Sequence, residues 1–251
     1  MSEALTIEGL VKQFGGLTAT DHLSLSVTKG EVHAVIGPNG AGKTTLIGQL
    51  TGEITPDAGT VRFAGRDVTG LAVHRRSMLG LARSFQITNV LADFTARANV
   101  ALAVQAHQGH SFRFWRKAAT DQRLIGPAEE HLATVGLADR AGVTASSLSH
   151  GEQRQLELAM ALATRPAMLL LDEPMAGMGP EDSARMVEIL KRLKGDLTIL
   201  LVEHDMDAVF ALADRITVLV YGRAIATGSP EQIRNDPDVR AAYLGEESAD
   251  A

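Results

Sequence analysis

The first quarter of the chain consists of short segments in which hydrophobic and polar positions alternate, separated by turn residues. Alternation of this kind, bounded by glycine, proline or aspartate, predicts β-strands. The expected strands are residues 5–14, 23–28, 31–36 and 60–68, with turns at 15–16, 29–30 and 56–59.

The pattern becomes mostly helical over about residues 89–164, and from residue 168 short apolar runs alternate with helical stretches. Continuous apolar runs are typical of parallel strands that are buried on both faces. The expected strands are 168–172, 197–202 and 216–220, the helices between them 181–194 and 206–213, and a capped helix begins at Ser229. We therefore predict one α/β domain over residues 1–251, with an inserted helical part at about 89–164 and a flexible tail at about 245–251.

Composition narrows the class of protein without identifying it. The 251 residues are 45% hydrophobic and 22% charged, which is typical of a soluble globular domain. There is no cysteine, so disulfides and thiolate metal sites are excluded, and the net charge of −6 argues against broad nucleic-acid binding. No signal peptide is visible, and no apolar run reaches the ~20 residues needed to span a bilayer. A role at a membrane would therefore require a partner.

Residues 37–44 match the pattern Gly-x4-Gly-Lys-Ser/Thr, between a predicted strand and a predicted helix. In that setting, glycines allow backbone N–H groups to approach a polyphosphate, and the helix start adds its own N–H groups and dipole. The lysine reaches the terminal phosphates, and the threonine hydroxyl is a ligand for Mg2+. The candidate nucleotide-binding residues here are Gly37, Pro38, Asn39, Gly40, Ala41, Gly42, Lys43, Thr44 and Thr45. The alternative, a chance glycine-rich turn, does not explain the flanking elements.

A second motif follows the apolar run 168–172, which ends in two carboxylates before Pro174. Ligands of open α/β sheets bind at the carboxyl ends of the strands. Asp172 is placed to hold the shell of a Mg2+ ion, and Glu173 is the candidate base for an attacking water. Alone, the pair could be an acidic turn; together with residues 37–44, it indicates a nucleotide-hydrolysing site.

A third motif, residues 148–153, comes before a helical run predicted over residues 153–164, and Ser149 with Glu152 forms a capping box. The simplest interpretation is a well-capped helix. The stronger one is a second anion site, in which Ser149, the backbone of Gly151 and the helix dipole face a phosphate.

These three motifs, in this order, resemble the ATPase subunit of an ABC transporter, and the resemblance covers nearly the whole chain. It implies a P-loop core with a mostly parallel sheet, an antiparallel β subdomain and an inserted helical subdomain. The family signature is Leu-Ser-Gly-Gly-Gln, whereas this chain reads Leu148-Ser149-His150-Gly151-Glu152, with Gln153 one place later. His150 replaces the first glycine, while Ser149 and Gly151 are kept.

The resemblance also assigns roles residue by residue. Phe14 matches the aromatic that stacks on adenine, and His204 matches the histidine that contacts the γ-phosphate. Gln86 matches the glutamine that touches Mg2+ and water and senses the transmembrane partner. Alone, these residues could be a core aromatic, a strand-end histidine and a surface amide. Gly179 stands where the family often has an aspartate that contacts the opposite subunit.

Within the family, the chain looks most like the larger ATPase of branched-chain amino acid uptake systems, through residues 14–17, 83–86, 203–206 and 233–246. A urea or amide uptake ATPase and the lipopolysaccharide-export ATPase are alternatives, as is a soluble ABC ATPase that is not coupled to transport. A non-hydrolysing sensor would be expected to lack Glu173.

The resemblance implies ATP and Mg2+ as cofactors, integral membrane permeases as partners, indirectly a solute-binding protein, and no nucleic acid. A second ATPase subunit, identical or paralogous, would pack head to tail so that its signature segment completes each site. Such a subunit is peripheral, at the cytoplasmic face of the inner membrane.

Residues 107–123 hold the only tryptophan and four basic residues against one acid, for a net charge of +3 with histidine neutral. We consider two explanations: aromatic packing within the helical part, or contact with the permease or anionic lipid.

Overall fold

The computed structural model describes residues 2–83, 90–108 and 121–241. Gln86, most of segment 107–123 and the tail at 245–251 lie outside the described residues.

The strands and helices predicted from the sequence appear in the predicted order with shifted ends, and short elements that were not predicted lie between them. The strands are β1 (Glu3–Phe14), β2 (Leu17–Thr28), β3 (Val32–Ile36), β4 (Ala58–Phe63), β5 (Arg66–Asp67), β6 (Leu81–Arg83), β7 (Met168–Asp172), β8 (Thr198–Val202), β9 (Arg215–Val220) and β10 (Arg223–Gly228). The helices are α1 (Lys43–Thr51), α2 (Val73–Met78), α3 (Ala96–Gln108), α4 (Gln122–Thr134), α5 (His150–Ala163), α6 (Pro180–Leu193), α7 (Met206–Leu212) and α8 (Pro230–Asn235).

The strands form two sheets. β2, β1, β4 and β5 form an antiparallel sheet in that order. The second sheet has the order β10-β9-β3-β8-β7-β6, and its pairs are parallel except for the antiparallel edge pair β9–β10. This confirms the α/β fold with a mostly parallel central sheet.

Three departures from the predicted strands have local causes. The predicted strand 60–68 is two strands, because Ala64 and Gly65 both take left-handed φ values, +48° and +77°, and turn the chain back. β2 begins at Leu17 rather than at the predicted residue 23, because its first half also pairs with β1. Polar residues in that half hid the alternation of hydrophobic and polar positions in the sequence. β6 and β10 were missed because one is three residues long and the other lies mostly exposed at an edge.

The buried centre of the parallel sheet positions the site. Every residue of β3, β7 and β8 is buried. Val202 is paired with Asp172 on one side and with Val35 on the other, so these three strands end at the same edge. The residues that follow β3, β7 and β8 are therefore neighbours.

The helical prediction for the middle of the chain is confirmed for the described residues, where α3, α4 and α5 pack on one another around a buried apolar cluster. α5 begins at His150 rather than at the predicted residue 153, because the capping box at Ser149 starts the helix there. The boundaries of the helical part stay a prediction.

Candidate functional site

The loop between β3 and α1 depends on its glycines for two different reasons. A Cβ on Gly37 would overlap the carbonyl oxygen of Leu219, and one on Gly42 would overlap that of Ala19. At Gly40, whose φ is +78°, a Cβ would have no neighbour among the described residues within 4 Å. Packing against neighbouring strands therefore requires Gly37 and Gly42, whereas the open space at Gly40 is what a close approach to a phosphate needs.

The rest of the loop forms a cradle at the start of α1. Lys43 is buried along its stem, and its Nζ donates hydrogen bonds to the carbonyls of Gly37 and, at 2.8 Å, Pro38. α1 begins after Gly42, and within the described chain no side chain caps it. Its first N–H groups therefore remain available to an anion. Thr44 is exposed and Thr45 half-buried in the first turn.

The remaining residues of the loop divide by burial: Ala41 is buried, Pro38 is half-buried, and Asn39 is exposed with Gly40. Only part of the motif can therefore touch a ligand directly.

Asp172 lies at the end of β7 with only 1% of its side chain exposed. Its Oδ2 accepts a hydrogen bond from Arg83 at 3.0 Å, whereas its Oδ1 has no hydrogen-bond partner among the described residues. Burial raises the pKa of Asp172, and Arg83 opposes this effect. A buried carboxylate oxygen without a partner is costly unless a cation or ordered water meets it. This donor set fits a hydrated Mg2+ ion.

Arg83 is a site residue that sequence reasoning missed. Besides Asp172, it pairs with Glu53, and only 13% of its side chain is exposed. It stands three residues before Gln86, in a stretch that we noted only for the resemblance. The three-residue strand that it ends was not predicted, so the sequence offered no signal for it.

Glu173 follows Asp172 in a left-handed conformation, with φ +51°, and its N–H donates to the carbonyl of Val202 at 2.9 Å. His204, after β8, lies with its Nδ1 4.0 Å from Oε1 of Glu173. The side chain of Glu173 is 25% exposed and that of His204 is 66% exposed, so both reach solvent. The structure thus brings together the carboxylates of β7 and the histidine of β8, and places the cradle at the same edge.

Phe14 is not a core residue. It ends β1, is 49% exposed, and has Lys12 Nζ 5.4 Å from its ring centroid. β2, which pairs with β1, reaches the cradle through the contact of Ala19 with Gly42. An exposed ring on this sheet is suited to stack on a base.

The start of α5 is a second helix N-terminus of different character. Ser149 Oγ accepts from the N–H of Glu152 at 3.2 Å, and Glu152 accepts from the N–H of Ser149 at 2.8 Å and from Arg140 at 2.8 Å. Ser149 and His150 are exposed, and the hydroxyl hydrogen of Ser149 remains for donation. Within the described chain, no hydrogen bond or ion pair joins residues 149–153 to the cradle.

The neighbours of this segment explain its small residues. A Cβ on Gly151 would overlap the side chain of Asp182, and one on Gly177 would lie 3.3 Å from the ring of His150. Gln153 donates to the carbonyls of Ala145 and Leu148 and so ties the segment to the preceding turn.

A cavity of about 280 Å³ opens beside Arg83 between the core and the helical part. Its lining includes Thr51, Glu53, Val73, Ala103, Glu157 and Met160. Among the described helices, none is long and apolar enough to cross a membrane. Among the described residues, there is also no group of three or more histidine, aspartate or glutamate side chains that could hold a metal ion.

Comparison with known proteins agrees with this geometry. Residues 20–176 match the model of the ABC transporter family, and residues 225–249 match that of the branched-chain amino acid ATP-binding cassette transporters. The branched-chain amino acid transport ATP-binding protein BraF of Pseudomonas aeruginosa is 38% identical, over 96% of this chain and 98% of its own. LivG of Escherichia coli, described as a protein of the same kind, is 39% identical over the same shares.

Solved structures lead to the same result. The ADP conformation of an ATP-binding cassette of an ABC transporter has a TM-score of 0.86 and 31% identity, covering 98% of this chain and all of the other. A nucleotide-free cassette gives 0.85 and 31%, over 96% and 99% of the two chains. The chain therefore belongs to the ABC transporter family, as one of its ATP-binding, ATP-hydrolysing subunits.

Proposed function

We propose that this chain powers the uptake of branched-chain or other amino acids, as a peripheral subunit at the cytoplasmic face of the inner membrane. The observation that carries this proposal is the convergence of the cradle, Asp172, Glu173 and His204 at one sheet edge, in a chain whose relatives are amino-acid transport ATPases along nearly their full length. Its permeases would be integral membrane proteins, and a solute-binding protein would act indirectly. Nothing in the net charge of −6 favours nucleic acid.

ATP would lie with its phosphates in the cradle and its adenine on Phe14. The N–H groups at the start of α1 and the ammonium of Lys43 face the phosphates. Thr44, Asp172 and Gln86 would hold Mg2+, which when bound neutralises charge on the terminal phosphates. This assignment is supported by Oδ1 of Asp172, which has no hydrogen-bond partner among the described residues.

Hydrolysis requires little covalent chemistry from the protein, because positioning and charge stabilisation dominate phosphoryl transfer. Glu173 would orient the attacking water and accept its proton. His204, 4.0 Å from Glu173, would contact the γ-phosphate and hold the carboxylate in place.

The exposed start of α5 supports a head-to-tail dimer. The segment Ser149, His150, Gly151, Glu152 and Gln153 starts a helix, is exposed at its first two residues, and makes no hydrogen bond or ion pair with the cradle within the described chain. A second ATPase subunit, identical or paralogous, would bring its own such segment to the γ-phosphate. ATP would then join the subunits, and hydrolysis would release them.

The cavity beside Arg83 is the docking site that we propose for the permease. Both the core and the helical part line it, and Arg83 links it directly to Asp172. A partner segment bound in this cavity would act through Arg83 on Asp172, the carboxylate proposed to bind Mg2+. Contact of the basic segment 107–123 with the permease or with anionic lipid stays a prediction.

Two alternatives within the family share the mechanism and differ in cargo. The stretch Leu148-Ser149-His150-Gly151 favours a urea or amide uptake ATPase, and lipopolysaccharide export is the other. A soluble ABC ATPase would have no permease.

The test is to purify the chain with its membrane partners, reconstitute the complex in vesicles and measure ATP-dependent uptake of labelled leucine, with urea as the competing cargo. We expect leucine uptake that requires ATP and is lost with Glu173→Gln. Uptake of urea alone would overturn the cargo, and a chain that co-purifies with no integral membrane protein would overturn the transport role.

A further inference from the structure

A buried carboxyl group next to His204 has no role in the mechanism described above. Glu203 directly follows β8, and 0% of its side chain is exposed. Its Oε1 accepts a hydrogen bond from the N–H of Met175 at 3.0 Å. Its Oε2 accepts from the N–H of His204 at 2.9 Å and from that of Asp205 at 3.3 Å. One side chain therefore satisfies three backbone donors on two loops.

Those two loops carry the candidate catalytic groups. Met175 lies two residues beyond Glu173, and His204 is the next residue after Glu203. Glu173 itself has a φ of +51°, a conformation that persists in a non-glycine residue only where the surroundings hold it. Its own N–H is bound to Val202, directly before Glu203. The backbone on both sides of the Glu173 carboxylate is thus anchored to the end of β8.

We propose that Glu203 is a positioning residue for ATP hydrolysis, whose carboxyl holds the Glu173 loop and the His204 loop in one fixed relation. The inference rests on the roles proposed for Glu173 and His204. Small displacements of reacting groups lower reaction rates steeply. The cradle proposed to bind ATP lies between β3 and α1, and among the described residues no hydrogen bond joins it to Glu203. Loss of the carboxyl should therefore affect turnover and leave ATP affinity largely unchanged.

Glu203→Gln is the sharpest test, because it keeps the volume of the side chain. An amide has one acceptor oxygen, and its NH2 group would face a backbone N–H, so at least one of the three donors loses its partner. We expect kcat of the assembled transporter to fall by about tenfold or more, with the KM for ATP within about twofold of wild type. The control is Glu188→Gln on α6, whose carboxylate is 66% exposed and pairs with the surface residue Lys191; its kcat should not change.

A spectroscopic measurement separates positioning from general stability. The backbone amide protons of Met175 and His204 should move upfield in the NMR spectrum of Glu203→Gln, as expected when a charged acceptor is lost. In a Glu173→Gln background, Glu203→Gln should lower kcat by a smaller factor than in the wild type, because one of the two groups that it positions is already absent.

Unchanged kcat in a folded Glu203→Gln protein would overturn the proposal, as would a loss that adds fully to that of Glu173→Gln. If Glu203→Gln does not fold, the same kinetics are measured on Glu203→Asp, whose shorter side chain cannot reach both loops; wild-type kcat there would equally overturn it. Normal turnover of Glu173→Gln would instead contradict the proposed function itself, so the two failures are distinguishable.

Discussion

The starts of α1 and α5 are both helix N-termini in a phosphate-binding protein, yet they are built in opposite ways. α1 begins after the left-handed Gly42, without a side-chain cap in the described chain and with Lys43 in its first turn. α5 begins with a complete capping box, an acidic Glu152 in its first turn, and Arg140 paired to that acid. The first leaves its N–H groups to a ligand and holds a cation beside them through the carbonyls of Gly37 and Pro38, whereas the second has already satisfied part of its own donors.

This difference leads us to expect that the start of α1 binds nucleotide by itself and that the start of α5 does not. A bare helix start with a lysine offers several donors to a polyphosphate. A capped start offers its hydroxyl hydrogen, one or two N–H groups and a dipole that the adjacent carboxylate weakens. We infer that the α1 side determines affinity, and that the α5 side contributes when a second subunit presents it to a nucleotide already bound. Four predictions test that division, in order of expected effect.

Glu173→Gln should lower kcat by about 10²–10⁴-fold, because the amide keeps the size of the side chain and cannot accept a proton. ATP affinity should stay near wild type, since the α1 side is intact. Steady-state hydrolysis and equilibrium binding of a fluorescent ATP analogue measure the two quantities. Near-normal turnover would remove Glu173 from its proposed role.

Lys43→Ala should weaken ATP binding by about 10- to 100-fold, the usual value of hydrogen bonds to a charged group. The carbonyls of Gly37 and Pro38 also lose their donor, so the thermal midpoint should fall, and a melting curve is needed to show that the variant is folded. If ATP affinity is retained in the folded protein, the α1 side does not dominate binding.

Ser149→Asp and Ser149→Asn form a matched pair for the α5 side. Both residues cap a helix as well as serine, so the fold should be kept in each. Only aspartate brings a negative charge toward the γ-phosphate of the other subunit, where like charges cost several kcal/mol. We expect ATPase activity of the assembled complex to fall at least about tenfold in the aspartate variant relative to asparagine, with unchanged ATP binding by the isolated subunit.

Equal activity of the two variants would show that α5 does not face a phosphate. Gly151→Asp, the more obvious substitution from the sequence, is a poorer probe. Its Cβ would overlap Asp182, and it would therefore disturb the packing of α5 on α6 as well as the site.

Much of this site could be predicted from the sequence, for a physical reason. The order of residues within one loop determines its chemistry, so the short motifs at residues 37–44, Asp172 and Ser149 could be interpreted from the sequence alone. The apolar runs of β7 and β8 predicted buried parallel strands whose ends lie at one edge of the sheet. The roles of Phe14 and His204 depended on the resemblance, and exposure at the expected places supports them.

Contacts between distant segments could not be predicted. Arg83 meets Asp172 across 89 positions of the chain, and Glu203 meets Met175 across 28. Both residues lie in stretches that we quoted only for the resemblance, and their partners are set by the order of the strands in the sheet rather than by spacing along the chain. The glycines of the cradle show the same limit: the motif indicated their conformations, and the packing on Ala19 and Leu219 was visible only in the structure.

Gly179 should give the smallest effect. It is the N-cap residue of α6, with φ −72° and ψ 163°, and a Cβ there would meet no described atom within 4 Å. Gly179→Asp is therefore tolerated, and a better cap should add a few tenths of a kcal/mol and raise the melting temperature by about 1 °C. If this loop faces the opposite subunit, the new carboxylate also restores a polar contact, and the Hill coefficient of ATP hydrolysis should change while ATP affinity does not. Gly179→Ser caps the helix with a shorter side chain and separates the two effects: the same Hill coefficient in glycine, serine and aspartate forms would mean that residue 179 only begins a helix.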